Sequence, residues 1–248
     1  MKNFIRYQLG RMLANLLRWR SQPYPFPAGV ALVLAPHADD ETLGCGGVIA
    51  AKVQRGDSVQ IVFVTDSAGA PEGHHSRALA GQRRAEALAA LAVLGVLPAH
   101  VHFLAAPDGR LNRLSRADLA RLMANLTQLF VDLKPAEIFM PYRGGGSTEH
   151  DATTELARAT ITRAGLQPTV WEYPIWAWWN PRRLQRQLTH PQENFHLDLG
   201  AERAIKRAAL ACHVSQIVAL PPTLQPALPT VLADLCTGPV EFYFLRQT

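Results

Sequence analysis

The chain has 248 residues, of which 48% are hydrophobic and 18% are charged. This length and composition exclude a disordered protein and allow one large folded domain with a buried core. The three cysteines are far apart and form no C-x-x-C pair. Their spacing argues against a disulfide framework and a thiolate zinc site, and it is typical of a reducing, cytoplasmic protein.

The net charge of +5 is concentrated at the start of the chain. Five of the 25 basic residues precede Asp39, the first acidic residue, which leaves 20 basic residues against 20 acidic ones. The rest of the chain is therefore balanced and has no excess from which to build a basic binding face. This distribution argues against a nucleic-acid partner.

Residues 1–20 have the pattern of an amphipathic helix. One apolar stripe contains Ile5, Leu9, Met12, Leu13, Leu16 and Leu17. Arg6 and Arg11 interrupt any signal-peptide core, and the segment is too charged to span a bilayer. Two interpretations remain open: the helix packs on its own domain or a second subunit, or it makes peripheral contact with the inner face of an anionic membrane. We expect residues 1–22 to form this helix and residues 23–248 a single domain.

Strands and helices then alternate along the chain. Apolar runs predict strands at 30–35, 59–64, 101–104 and 136–141, with helices at about 41–55, 78–95, 116–133 (capped by Ser115) and 149–164. This alternation predicts an α/β, Rossmann-like three-layer fold with a mostly parallel sheet and helices on both faces. Beyond residue 165, we expect a helix within 200–214 and an edge strand at 241–246.

The stretch LAPHADDETLGCGG, residues 34–47, follows the first strand and places one histidine and three acids in five positions. Burying that much like charge is costly unless a cation lies among it. His37 and Asp40 can converge on one divalent ion, and nitrogen with oxygen ligands suits zinc or another first-row metal. His150 is the best-placed third ligand, because its loop follows the fourth strand and shares the ligand-binding edge of the sheet.

Asp39 lies between two of these candidate ligands. A carboxylate beside a metal-bound water can take the proton of that water, whose pKa the metal lowers. The alternative is that Asp39 simply caps the following helix, a common position for aspartate.

The residues PHADDETLGCGG resemble the signature (P)H-x-D-D-E-x-L-G-x-G-G of the PIG-L/LmbE-like zinc-dependent deacetylases. Weaker similarities follow in the same order in VFVTDSAG, RRAEALAALAVLG, FLAAPDG, EHDAT and KRAALACHVSQ, so that the resemblance spans residues 30–218. It implies a Rossmann-like fold and the removal of an acetyl group from an N-acetylglucosamine-type sugar, glycan or glycolipid.

Carried over to this chain, the resemblance implies zinc ligands His37, Asp40 and His150, the general base Asp39, and the substrate contacts Arg83 and Asp108. One position departs from the family pattern. Ser147 stands where many members have a histidine that stabilises the oxyanion or protonates the leaving amine, and serine carries no positive charge. We predict that His213 replaces that histidine as a catalytic residue, with Arg143 near the substrate as the second choice.

The run WEYPIWAWWNPRR, residues 171–183, is rich in aromatic side chains. Trp178 and Trp179 are expected to stack on a sugar, while Trp171 and Tyr173 are expected to complete the core. His74 and His75 lie in a polar loop and are expected to be exposed.

Together these features predict a zinc-dependent N-deacetylase that hydrolyses a linear amide and releases acetate. Two alternatives remain: an amidase acting on a thiol conjugate or another small amide, and a non-catalytic family member that binds metal and carbohydrate.

Overall fold

The computed structural model describes residues 2–69, 76–218 and 226–246, and a sheet of eight strands lies at its centre. The strands are β1 (Gln22–Pro23), β2 (Ala31–Ala35), β3 (Val59–Thr65), β4 (Val101–Ala106), β5 (Glu137–Pro141), β6 (Thr169–Tyr173), β7 (Asn194–Asp198) and β8 (Val240–Arg246). Their order is β1-β7-β8-β6-β5-β2-β3-β4. Only β8 runs antiparallel to its neighbours, which confirms the mostly parallel sheet. His74 and His75 lie outside the described residues.

Helices cover both faces of this sheet. They are α1 (Lys2–Trp19), α2 (Asp40–Gln54), α3 (Arg77–Val93), α4 (Arg116–Leu133), α5 (Thr148–Ala164), α6 (Gln185–Thr189), α7 (Glu202–Ala211), α8 (Val214–Ile217) and α9 (Thr230–Cys236). The first four predicted strands and the first four helices after α1 end within two residues of the expected positions. They do so because continuous apolar runs form strands that are buried on both faces.

Alternate residues of the central strands belong to two separate cores. Val33, Ile61 and Phe139 pack under α2, α3 and α7 on one face. Leu32 and Val62 pack under α4 and α5 on the other face. The period of two along each strand therefore divides the apolar residues between the two helical layers.

The prediction of an edge strand at 241–246 is wrong. β8 lies in the interior of the sheet, between β6 and β7, and β1 lies beyond β7. β7 has the sequence NFHLD and β1 is only two residues long, so neither has the apolar pattern from which a strand is predicted. The helix expected within 200–214 also ends early, at Ala211, and the shorter α8 begins at Val214.

A buried ion pair ties β8 to the helices above it. Lys206 of α7 lies 2.6 Å from Glu241 of β8, and both side chains are buried. Glu241 also accepts hydrogen bonds from the backbone N–H groups of Gly47 and Val48 in α2. The pair therefore joins α2, α7 and β8, and these contacts supply hydrogen-bond partners for the charged groups of both side chains.

The N-terminal helix α1 packs on the domain along one side. Leu17 is buried, and Gly10 lies against Leu235 of α9. Arg18 forms a double hydrogen bond with Asp198 of β7. These contacts agree with packing on the same chain. No helix of the described residues has the length and apolar content to cross a membrane.

We predict that Lys206→Met lowers the free energy of unfolding by about 3–5 kcal/mol, because it leaves the Glu241 carboxylate buried without its cation. Chemical denaturation would measure this loss. Arg207→Met is the matched control, since Arg207 is the next residue on α7 and is exposed. Equal stability of the two variants would contradict a structural role for the pair.

Candidate active site

A cleft of about 690 Å³ opens at the carboxyl edge of the sheet. Loops after four parallel strands supply its walls: His37 follows β2, Gly69 follows β3, Asp108 follows β4 and Ser147 follows β5. Parallel α/β sheets bind ligands at this edge, because the loops converge there. His37, Asp39 and Asp40 of the acidic motif therefore line a cleft that these loops build.

Three neighbouring side chains, of which His37 and Asp40 line the cleft, have the spacing of metal ligands. His37 Nδ1 lies 3.2 Å from Asp40 Oδ2, and His150 Nε2 lies 3.2 Å from Asp40 Oδ1. Ligand atoms about 2.0 Å from a tetrahedral zinc ion are about 3.3 Å apart. His150 Nε2 is buried and makes no hydrogen bond within the described part of the chain. The orphaned nitrogen and these spacings fit a zinc ion held by the predicted set.

Asp108 orients the first of these ligands. Its Oδ1 lies 3.0 Å from His37 Nε2, on the side of the ring opposite Asp40, and Glu149 Oε2 lies 3.7 Å from the same nitrogen. A carboxylate that accepts the Nε2 proton leaves Nδ1 free for a metal. Asp108 and Glu149 could also hold a cation with His37. Because they use its other nitrogen, we assign them to orienting the ring.

The charges in the cleft shift one another's pKa values. Burial raises the pKa of Asp39 to about 8, and the neighbouring Asp40 carboxylate adds to this rise. Burial also opposes ionisation of Asp40, but His150 and His37 hold its pKa well below the usual range. For His37, burial lowers the pKa, and hydrogen bonds to Asp108, Asp40 and Glu149 outweigh it and raise the pKa well above the usual value. When no metal is bound, these carboxylates therefore favour a protonated His37, whose positive charge balances part of theirs.

Asp39 occupies the N-cap position of α2, yet its side chain makes no capping hydrogen bond. Its carboxylate lines the cleft instead. Asp39 therefore occupies the N-cap position, but its side chain does not cap the helix as the alternative interpretation requires. The backbone there has φ 128°, in the region that favours glycine.

Two further predicted positions lie at the cleft. Arg83 is buried, donates from Nη1 to the carbonyl groups of Ser67 and Gly69, and lines the wall. Ser147 is the N-cap of α5, and its Oγ accepts from the backbone N–H of His150. The serine therefore fixes the turn that carries the distal ligand.

Comparison with known proteins identifies the family. The model of the GlcNAc-PI de-N-acetylase (PIG-L) family matches residues 32–161, more than half of the chain. The chain belongs to the PIG-L family. The match contains the acidic motif, Asp108 and His150, whereas the cleft residues Trp176 and Gln216 lie outside the matched range.

Two relatives carry the same name, 1D-myo-inositol 2-acetamido-2-deoxy-alpha-D-glucopyranoside deacetylase. The protein of Mycobacterium sp. (strain KMS) is 32% identical over 170 residues, which cover 59% of this chain and 53% of the relative. The match thus spans about half the length of that relative. The protein of Mycolicibacterium gilvum (strain PYR-GCK) is 27% identical over 87% of this chain and 90% of its own length.

Solved structures share the PIG-L fold at lower identity. A triple mutant of a deacetylase from teicoplanin biosynthesis superposes with a TM-score of 0.64 at 18% identity, over 88% of this chain and 98% of its own. The N,N'-diacetylchitobiose deacetylase of Pyrococcus horikoshii gives 0.59 at 22% identity, over 79% and 73%. At these identities the likeness concerns the fold.

Three predicted site residues of this PIG-L chain do not line the cleft. Arg143 is exposed and pairs with Glu155 at 3.0 Å, and it is not among the residues that line the cleft. Trp178 is buried in the core, and Trp176, on the other side of the same 3₁₀ turn, lines the cleft instead. His213 is fully buried behind Glu41, at 3.2 Å, and the geometry does not support direct contact with substrate.

Several residues at the site were not predicted from the sequence. Glu41, Glu149, Trp176, Arg110 and Gln216 all contact the motif or line the cleft. Glu41 is the last acid of the D-D-E triplet, so its position in the motif was an available signal. Gln216 lies in the H-x-S-Q stretch. Arg110 lines the cleft and has no acidic partner among the described residues, and only the folded structure shows these two properties.

We predict that His150→Ala lowers the bound zinc well below one ion per chain, because it removes one of the three candidate ligands. Elemental analysis of the purified protein would measure it, with His190→Ala, a histidine remote from the cleft, as the control. Stoichiometric zinc in His150→Ala would place the third ligand elsewhere.

The raised pKa of His37 predicts that zinc binding releases protons at neutral pH. An imidazolium cannot coordinate a metal, so zinc affinity falls as the pH falls below the pKa of His37 in the metal-free protein. Calorimetric titration of zinc in buffers of different ionisation enthalpy would count the protons. A heat independent of the buffer would show that His37 is neutral before zinc binds.

Proposed function

We propose that this chain is a metal-dependent hydrolase that removes the acetyl group from an N-acetylglucosamine-type sugar and releases acetate. One observation carries the proposal: Asp39, a carboxylate without a capping hydrogen bond, lines the cleft beside the His37–Asp40–His150 set. The names of the related deacetylases, which specify acetamido sugars, support this substrate class.

The residues of the chain divide the reaction between them. His37, Asp40 and His150 would hold zinc, which supplies Lewis acidity and makes a water in the cleft more acidic. Asp39 accepts a proton as this water attacks the acetyl carbonyl, and the C–N bond then breaks. The same carboxyl group returns the proton to the leaving amine, so the products are acetate and a free amino sugar. Because neither His213 nor Arg143 lines the cleft, we assign both proton transfers to Asp39.

Substrate binding follows from the polar groups around the base. Arg83 and Asp108 line the cleft on the side of β3 and β4, and Trp176 lines it on the side of β6. We infer that the sugar hydroxyl groups contact the polar wall and that the apolar sugar face contacts the indole. Trp176 thereby takes the role that the sequence suggested for Trp178.

We predict that Asp39→Asn retains zinc and loses about 10²–10⁴-fold in kcat, because the amide cannot accept the proton. Acetate release from a panel of N-acetylated sugars, glycans and glycolipids would measure kcat. Asp118→Asn, an exposed position on α4, is the control.

Other outcomes would favour the alternatives. Near-normal kcat in Asp39→Asn would remove the base from the mechanism. Release of product only from a thiol-conjugate amide would indicate the amidase. A zinc-loaded chain that binds sugars and releases no acetate would be a non-catalytic binding protein.

We also propose that α1 makes peripheral contact with an anionic membrane, which would bring a lipid-linked sugar to the cleft. An outer row on α1 remains uncovered: Ile5, Leu9, Met12, Leu16 and Trp19 are between 40% and 81% exposed. Their spacing of three and four residues forms one face of the helix. Leu13, which the sequence assigned to this face, packs against the core instead.

The charge and position of α1 support this partner. Its charged residues are all basic, and cations near anionic lipid contribute about 1 kcal/mol each. The guanidinium of Arg6 lies 4.0 Å from the ring centre of Trp179, in the same 3₁₀ turn as the cleft residue Trp176. The helix therefore lies beside the cleft wall.

We predict that the full chain co-sediments with anionic vesicles at low salt and that Leu9→Glu removes this binding without changing hydrolysis of a free sugar. Leu119→Glu on α4 is the control, because Leu119 is also exposed on a helix surface. Equal binding of Leu9→Glu and the wild type would contradict membrane contact. A concentration-dependent dimer that Leu9→Glu dissociates would instead assign the outer row to a second copy.

A further inference from the structure

The backbone of Asp39 is held in a conformation that its own sequence does not favour. Its φ is 128° and its ψ is −27°, although an L residue with a side chain avoids that region. Rotation of the Ala38–Asp39 peptide plane by about 180° would return φ to the allowed negative range. Contacts from elsewhere must therefore oppose that rotation.

Buried side chains form hydrogen bonds with both the carbonyl group and the N–H group of this peptide bond. The carbonyl oxygen of Ala38 accepts from Gln216 Nε2 at 2.7 Å. The backbone N–H of Asp39 donates to Glu41 Oε2 at 3.0 Å. A flipped peptide would lose both hydrogen bonds and turn its carbonyl oxygen toward the Glu41 carboxylate. Leaving such buried polar groups unpaired is costly.

The Glu41 carboxylate is itself held by other side chains, and one of them, His213, belongs to the same segment as Gln216. Oε1 of Glu41 accepts from Thr42 Oγ1 at 2.6 Å and lies 3.2 Å from His213 Nε2. The side chains of Glu41 and His213 are fully buried. His213 precedes α8 and Gln216 lies within it, so one short segment supports both ends of the peptide.

The segment is itself anchored to another helix. Ser215 bonds to α3 instead of the acidic motif: its backbone N–H and its Oγ donate to the Glu86 carboxylate. Each polar side chain of the stretch HVSQ thus has a separate partner: His213 contacts Glu41, Ser215 contacts Glu86 and Gln216 contacts Ala38. Hydrogen bonds therefore connect this stretch both to α3 and to the acidic turn.

We propose that His213, through Glu41, and Gln216 are positioning residues that clamp the Ala38–Asp39 peptide and thereby aim the Asp39 carboxylate into the cleft. This inference rests on the proposed function in one respect, that Asp39 is the general base. It gives His213 a role without contact with substrate. The ring is needed as a hydrogen-bonding group beside Glu41 and not as a proton donor to the amine.

Kinetics of four variants test the clamp. His213→Leu and Gln216→Met are expected to lower kcat by about 10- to 100-fold, the factor by which an unsupported strained conformer is depopulated. KM and zinc content are expected to stay within about threefold of the wild type. His213→Gln, which keeps an N–H near the position of Nε2, is expected to recover most of kcat. Val214→Ala, an exposed residue of the same segment, is the control.

Crystal structures of the same variants give a second readout that does not depend on turnover. We expect a flipped Ala38–Asp39 peptide in Gln216→Met and His213→Leu, and the native peptide in His213→Gln. If His213→Leu does not fold, Gln216→Met carries the test alone.

Two results would overturn the proposal. Equal loss of kcat in His213→Gln and His213→Leu, with the native peptide in both crystal structures, would show that the imidazole transfers a proton. Wild-type kcat and an unflipped peptide in Gln216→Met would show that the turn needs no clamp. If the wild-type chain hydrolyses no substrate, the proposed function fails, while the crystal structures still decide whether the peptide is clamped.

Discussion

The concentration of buried carboxylates around the acidic motif is the constraint on which the cleft depends. Asp39, Asp40 and Glu41 are consecutive and buried, and Asp108 and Glu149, from a loop and from α5, contact the neighbouring His37. Carboxylates at this density cannot all be ionised in a dry site without compensating charge. The three histidines His37, His150 and His213 and the guanidinium of Arg83 lie among them. The sheet edge brings these opposite charges together from distant parts of the chain.

The neighbours of each carboxylate determine what it can do. Asp40 lies between two imidazoles, which stabilise its anion, the form that the proposed ligand role requires. Glu41 is fully occupied by hydrogen bonds from Asp39, Thr42 and His213, so it is structural. Within the described residues the Asp39 carboxylate makes no such hydrogen bonds, and burial raises its pKa to about 8. Environments that separate the pKa values of adjacent acids commonly separate their roles in this way.

Local pattern predicted the elements whose formation is local. β2, β3 and β5 are continuous apolar runs, and Ser115 caps its helix as predicted. The candidate metal set was proposed from the motif and from the rule that parallel strands present their carboxyl ends at one edge, and the structure places its three side chains close together. Each of these features depends on residues close in sequence or on a general property of the fold.

The features that were missed depend on contacts between distant parts of the chain. β7 and β1 pair through residues with little apolar pattern, and their presence moves β8 from the edge to the interior. Whether Trp176 or Trp178 reaches the cleft depends on the direction in which one 3₁₀ turn meets the core. His213 lies 172 residues from Glu41, and nothing near either residue indicates the pairing.

The distance along the chain between the acidic turn and its support has a consequence for synthesis. Ala38 and Gln216 are separated by 178 residues, and ribosomes add about 5–20 residues per second. Roughly 10–40 s therefore pass between the appearance of the acidic turn and that of the segment that fixes it. During this interval the turn has no hydrogen bond from Gln216 and no histidine behind Glu41. The nascent chain thus carries its acidic residues early, and the proposed clamp on the Ala38–Asp39 peptide can form only after residues 213–216 have been synthesised.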